Sequence, residues 1–277
     1  MIKEIKFKVG KKEICPCNSG KKYNECCSKS EFYSLGENYS GEKIIFNKTK
    51  VNDIYDEIKD YALENIFSLE NGDMISVSKG LNMLNEVLLK TDKGINEYEG
   101  YAPCKKGCSK CCCLYLECTT IEAENIRRYI LDNKSDKEIS ELENKIKYNL
   151  SKVNINFMSH TLNEEERHKF ILEYFKEKTP CIFLNEEGAC SIYKVRPLAC
   201  RKFIVFSSSE NCGEIDHIVT PNLPPAYIGA LAIDGISTSI ARYKKLSFLN
   251  KQSRVEGVKR PLLYWFKNGF SDINRNE

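Results

Sequence analysis

A mainly α fold, with a small zinc knuckle ahead of a helical domain whose cysteine loops are stapled by metal, is the architecture this sequence predicts. Three observations predict it. Apolar residues recur at helical spacing in several separate stretches. Three of those stretches open on Thr, Ser or Asn with Glu three residues later, the pattern that starts a helix. The fourteen cysteines are grouped: four in 15–27, six in 104–118 and four in 181–212.

Taken in order, residues 1–30 form one unit, Lys-rich and without a helical stripe. Residues 31–50 read as a linker, with Gly36, Asn38, Ser40 and Gly41 as breakers. Residues 51–277 read as a helical cysteine-cluster domain, its cluster region at 104–212. Ile54, Tyr55, Ile58, Tyr61, Ala62 and Ile66 mark a first helix, and Leu81, Leu84, Val87 and Leu88 a second. The stretch 91–118 reads as loop. Thr119 with Glu122, Ser135 with Glu138, and Asn163 with Glu166 then open three helices. The third ends at Thr179-Pro180, because the residue before proline is pushed out of the helical region. A second loop-like stretch, 180–224, holds the last four cysteines, and helix returns near Ala226–Leu246.

Composition narrows the setting. The 277 residues carry a formal net charge of +3. Residues 1–30 hold eight lysines against three glutamates, and 241–277 nine Lys/Arg against three acids, so the middle is acidic. Basic ends attract nucleic acid, ribosomes or acidic partners, but single-sign segments more often simply solubilise a chain, and nucleic acid is not the expected partner. The N-terminus MIKEIKFKVG has no apolar leader core, and no run of eighteen apolar residues occurs, so no membrane partner is expected. The expected compartment is the cytoplasm, where thiols stay reduced and dense cysteine groups read as metal sites before disulfides.

The first group reads CPCNSGKKYNECC. Cys15, Cys17, Cys26 and Cys27 supply the four thiolates that tetrahedral zinc needs, and Asn18-Ser19-Gly20 supplies turn chemistry between the pairs. Thirty residues bury little core, so metal would supply the folding free energy. Cys-Pro-Cys, Ser19, Gly20, Lys22, Tyr23 and the closing Cys-Cys resemble the SEC-C motif found at the tail of the preprotein translocase ATPase. That resemblance implies zinc and a docking role toward a protein or ribosome partner.

The second group has Cys104, Cys108, Cys111 and Cys112 in a C-x3-C-x2-C-C pattern, followed by Cys181, Cys190, Cys200 and Cys212. Such spacings let neighbouring thiolates converge on one ion or cluster, and four-thiolate ligation suits zinc and an iron–sulfur cluster equally. Eight thiolates are enough for two four-thiolate sites, with Cys113 and Cys118 left over as small packing residues. The two halves are expected to meet in space. The C-x3-C-x2-C-C run, Cys190-Ser191-Ile192-Tyr193, Arg196-Pro197 and Cys200-Arg201 resemble the YkgJ-type cysteine-cluster family of zinc- or iron-chelating domains. The run resembles more distantly the cysteine cluster of flagellin lysine N-methylases, which would imply a methyltransferase using S-adenosylmethionine. No Gly-x-Gly occurs here to support that alternative. A third alternative is a purely structural zinc adaptor.

Arg196 and Arg201 are candidates to offset thiolate charge. His160, His168 and His217 are isolated and not expected to bind metal. No H-E-x-x-H, P-loop or nucleophile elbow occurs, and no catalytic residue can be assigned.

Overall fold

Phe32 and Leu35, then Ile44 and Phe46, are buried positions on two extended segments, and between them lies a turn built around Asn38. The Asn38 carboxamide oxygen accepts from the main-chain N–H groups of Ser40 at 3.0 Å and Glu42 at 2.9 Å. These contacts close a hairpin of β2 (Phe32–Glu37) and β3 (Lys43–Asn47). β1 (Ile5–Phe7) pairs antiparallel on the other edge of β2, with Ile5 opposite Ser34 and Phe7 opposite Phe32. The stretch 31–50, expected as a linker, is therefore two strands and the start of a helix. Its Gly, Asn and Ser residues are hairpin-turn chemistry rather than slack. The segment 8–31 is the long connection between β1 and β2, so the cysteine knuckle is an insertion within a sheet.

The computed structural model describes residues 3–69, 75–105, 107–153, 164–213, 218–243 and 259–271. It is mainly α, with eight α-helices and two small sheets among the described residues. No helix there is long and apolar enough to cross a membrane. The chain divides into two compact units. The first comprises Met1–Ser68, Glu86–Lys105 and Arg201–Ala232, the second Leu69–Asn85, Lys106–Cys200 and Ile233–Glu277.

In the first unit, α1 (Lys48–Ala62) starts at Asn47, whose side chain accepts from Lys50 N–H at 3.0 Å. It buries Val51, Ile54, Ile58 and Ala62 at helical spacing. α2 (Val77–Glu99) is longer than the sequence suggested. Its apolar row continues from Leu84 and Leu88 through Ile95 and Tyr98, so the stretch read as loop from 91 is helical to Glu99. Tyr98 stacks at tilted ring distances of 5.1 Å from Phe46 and 6.4 Å from Phe206. The Tyr101 hydroxyl donates to Ile45 C=O at 2.7 Å, fastening the segment after α2 to β3.

In the second unit, β4 (Glu117–Thr119) leads into α3 (Thr120–Asn133), then α4 (Asp136–Lys152) and α5 (Glu164–Glu177). The Thr119/Glu122 and Ser135/Glu138 capping boxes both form. Asn163 lies outside the described residues, so its box cannot be described. Lys178, at φ +47°, ends the run after α5. α6 is the single turn Leu198–Arg201, α7 spans Pro224–Tyr243, and β5 (Lys259–Pro261) and α8 (Leu262–Trp265) close the unit. β5 pairs antiparallel with β4, Cys118 opposite Arg260. Ile126, Ile130, Leu142, Ile146, Phe170 and Phe183 form the core with Trp265 and Phe266. The Trp265 indole N–H donates to Cys118 C=O at 3.1 Å.

α2 and α7 contribute residues to both units. Within the first unit, Gly94 of α2 lies against Pro225 of α7, where a Cβ at 94 would stand 2.7 Å from the proline Cβ and Cγ. A rigid pyrrolidine ring cannot swing aside. Replacing an exposed helical Gly by Ala usually stabilises by about 1 kcal/mol, whereas overpacking costs about 1–3 kcal/mol. Gly94→Ala is therefore expected to lower stability by about 1 kcal/mol or more, read as an earlier urea midpoint at unchanged slope. A later midpoint would mean that α7 gives way at this contact.

Candidate metal centres

The knuckle is a tight double turn. Cys15 N–H donates to Lys21 C=O at 2.8 Å and Tyr23 N–H to Glu13 C=O at 2.8 Å, with Ile14 bridging to Lys22. Asn18 and Gly20 adopt φ of +60° and +74°, the left-handed conformations that Asn and Gly take most cheaply. A 3-10 turn at Tyr23–Glu25 then returns the chain, with Cys26 N–H donating to Tyr23 C=O at 3.2 Å. The result brings Cys15, Cys17, Cys26 and Cys27 together, all four sulfurs lying within 4.8 Å of one another. Cys17 and Cys26 sulfurs are 3.4 Å apart, and Cys26 and Cys27 sulfurs 3.7 Å. Zinc–sulfur bonds of about 2.3 Å in a tetrahedron place sulfurs about 3.8 Å apart, so this donor set fits one zinc ion. Cys15 is buried at 1% exposure, while Cys17 and Cys26 face solvent. Tyr23 joins the knuckle to the sheet: its hydroxyl donates to Ser30 C=O at 2.7 Å and its ring meets Phe32 edge-on at 6.1 Å.

Cys15, Cys17 and Cys27 differ in acidity. Burial works against ionisation of Cys17, but hydrogen bonds from the Ser19 hydroxyl, the Cys15 thiol, the Ser19 N–H and the Cys26 thiol outweigh it and hold Cys17 down at about 6. Burial pushes Cys15 up, and burial together with its neighbouring thiols pushes Cys27 well up. Ser19 Oγ also lies 3.2 Å from the Cys26 sulfur, a contact that orients a ligand from outside the donor set.

Cys111 and Cys112 of the second group sit on a 3-10 turn at Lys110–Cys113 in the second unit. Cys112 N–H donates to Ser109 C=O at 2.9 Å, and Cys112 C=O accepts from Cys181 N–H at 2.7 Å. That bond brings the two cysteine-bearing segments together across the intervening helices. Cys181 opens a miniature hairpin: Leu184 bridges Cys190, Ser191 N–H donates to Phe183 C=O at 2.8 Å, and the Asn185 side chain accepts from Ala189 N–H at 2.7 Å. Ile182, Phe183 and Ile192 sink into the core, which leaves Cys181 and Cys190 packed at its margin. Cys200 follows on α6.

These thiols feel one another. Hydrogen bonding to Cys112, then burial, pushes the Cys111 thiol up, with Arg196 opposing. Burial pushes Cys181 up to about 12, with the Cys190 and Cys111 thiols adding to the effect. Burial likewise raises Cys190 and Cys200, and Arg196 opposes both shifts. The Arg196 guanidinium lies 3.6 Å over the Tyr193 ring, and its Nε donates to Tyr193 C=O at 3.2 Å. Tyr193 is half-buried and is the platform for this cation. Arg201, the other candidate counter-charge, instead pairs at 2.5 Å with Asp92 in the first unit.

Among the described residues, no three cysteines of the second group bring their sulfurs within 4.8 Å of one another. Cys108 stands four residues past Cys104, but Cys104 and Cys212 are counted with the first unit and Cys108 with the second. The Cys113 thiol donates to Lys110 C=O of its own turn at 3.4 Å, and Cys118 is wholly buried beneath Trp265. The Ser191 hydroxyl, next to Cys190, is buried without a hydrogen-bond partner among the described residues. The sequence pattern did not single it out. His168 is exposed on α5, and His160 and His217 lie outside the described residues.

Residues 103–218 match the model of the CxxCxxCC family, whose description reads "Putative zinc- or iron-chelating domain". The match covers less than half of the chain and is a likeness of that segment. No curated protein and no solved structure matches the chain. The matched segment contains both halves of the second thiol group and the arginine beside them. The knuckle at 15–27 lies ahead of it and is consistent with a separate zinc site.

The acidity ranking of the knuckle is testable. In metal-free protein, Cys17 is expected to ionise first, because its pKa is lowered while those of Cys15 and Cys27 are raised. Iodoacetamide is expected to label Cys17 first, at a rate that falls as pH drops through about 6. Ser19→Ala removes the leading hydrogen bond and should move that inflection upward. Labelling of all four thiols with one inflection near the ordinary thiol range of about 8.5 would overturn the ranking.

Proposed function

We propose that the protein is a cytoplasmic metal-carrying accessory protein with two thiolate centres of different kinds: a zinc-stapled SEC-C knuckle that docks a partner, and an iron–sulfur centre in the CxxCxxCC domain. The observation that carries the reading is the convergence of the Cys15, Cys17, Cys26 and Cys27 sulfurs within 4.8 Å on a connection that has no core of its own. Docking is supported by Ile14, which is 65% exposed in the middle of the knuckle, with Lys11, Lys12, Lys21 and Lys22 exposed around it.

The second centre would be held by Cys111, Cys181, Cys190 and Cys200, with Cys108 and Cys112 beside them. Two features favour an iron–sulfur cluster over one zinc. The second group offers eight thiols, more than one zinc uses, and a cluster binds each thiolate to a different iron. The buried Ser191 hydroxyl, which has no partner among the described residues, suits an inorganic sulfide acceptor. When bound, such a cluster would supply one-electron redox capacity or simply cross-link the loops. The chain's own contribution is to keep the thiols converged and to balance their charge with Arg196.

Metal analysis separates the two centres. Cys26→Ser is expected to lose one zinc per chain while far-ultraviolet circular dichroism stays helical. An unchanged zinc content would count against the knuckle assignment. Anaerobic reconstitution with iron and sulfide should give absorbance near ~400 nm that survives Cys26→Ser and vanishes in Cys181→Ser/Cys190→Ser. A colourless protein that takes up zinc in the CxxCxxCC domain and no iron would replace the cluster with zinc.

A further inference from the structure

Glu122 is used twice. Its Oε2 accepts from the Thr119 N–H at 2.8 Å and the Thr119 hydroxyl at 2.9 Å, which is the capping box that starts α3. Its Oε1 accepts from the main-chain N–H of Leu198 at 2.8 Å. Leu198 is the first residue of α6, the turn that carries Cys200, and Cys200 N–H in turn donates to Pro197 C=O at 3.0 Å. Glu122 is 6% exposed, and Leu198 is 3% exposed. A capping box needs one carboxylate oxygen. The second oxygen does nothing for α3 and instead holds a segment 76 residues away. A buried main-chain N–H at the start of a helix has no partner inside that helix, so this carboxylate is also what makes α6 tolerable at depth.

The hairpin 181–192 is anchored by its own core residues and by the Cys112 bond. Between Val195 and Cys200 the chain has no such strand pairing. Pro197 removes one donor there, and the Leu198 contact lies two residues before Cys200. We infer that Glu122 is a positioning residue for the second metal centre: through Leu198 it fixes α6 so that Cys200 joins the thiols of Cys111, Cys181 and Cys190. This rests on the reading of those four thiols as a metal centre.

The test is residue-resolved alkylation of the full chain, followed by mass spectrometry. The protein is loaded with Zn²⁺ in one arm and with ferrous iron and sulfide under anaerobic conditions in the other. Glu122→Ala is expected to leave Cys181 and Cys190 protected while Cys200 is alkylated at least about tenfold faster than in the unaltered protein, the scale on which outer contacts act on ligands. Thr119→Ala weakens the cap but keeps the Leu198 bond, and Glu122→Gln keeps an oxygen for Leu198, so both should preserve Cys200 protection even where stability falls. If Glu122→Ala does not fold, Glu122→Asp keeps a carboxylate at the start of α3 but is one methylene short of Leu198, and it should expose Cys200 alone. Cys200 protected in the Ala or Asp variant, or exposed as much by Thr119→Ala, would overturn the inference. So would loss of protection at Cys181, Cys190 and Cys200 together, which marks general unfolding. If the unaltered protein shows no metal-dependent protection of the four thiols in either arm, the metal reading itself fails first and takes this inference with it.

Discussion

One main-chain hydrogen bond, from Cys181 N–H to Cys112 C=O at 2.7 Å, is the contact on which the second thiol group depends. Cys111, Cys112 and Cys113 sit on a 3-10 turn with no buried residue of its own. Those at 181 and 190 sit on a hairpin whose apolar residues belong to the core of the second unit. Joining the two at the main chain, rather than through side chains, sets the distance between segments before any thiol ionises. The protonated thiols then tolerate burial as weakly polar groups. Ionised together they would not, because burial and mutual repulsion both raise their pKa values. A cation that arrives as the protons leave resolves both costs at once, which is why buried thiols with raised pKa values, crowded at one margin, suit a metal.

Arg196 and Arg201 show how little sequence proximity says about charge balance. Both flank Pro197 and Cys200, and either could have served the thiols. The structure stacks Arg196 on Tyr193 and holds its Nε on a carbonyl of the same turn, so its charge stays beside Cys111, Cys190 and Cys200. Arg201 is committed to Asp92. What separates them is the turn at Tyr193–Val195, which folds Arg196 back over its own ring.

Much of the fold was legible locally. Both capping boxes that lie within the described residues form, because the hydroxyl and carboxylate that satisfy the first N–H groups are three residues apart in the chain. The knuckle was legible for the same reason: its four thiols and its turn residues fall in thirteen consecutive positions. What was missed depends on partners distant in sequence. Asn38, Ser40 and Gly41 look like slack until Phe32, Leu35, Ile44 and Phe46 are recognised as the buried positions of two strands. β4 is three residues long and pairs with a strand some 140 residues later, with no periodicity to announce it. α2 ran on past residue 91 because Ile95 and Tyr98 continue its buried row, a pattern that the reading of 91–118 as loop did not use. Glu122 read as a cap and nothing more, since its second hydrogen bond goes to a main-chain group that no side-chain pattern encodes.

The placement of the knuckle between β1 and β2 has a consequence for how the chain can be cut. A bead on a string can be removed without injury to its neighbours. Here the first strand of the sheet lies on the far side of the knuckle from the second, and Tyr23 rests on Phe32. A truncation at residue 30 would strip β1 away with the cysteines, bare the ladder edge of β2 and uncover an aromatic side chain. Exposed ladder edges recruit other chains. The shortened protein would then be a self-associating species, and any comparison made with it would report on sticky edges as well as on lost metal.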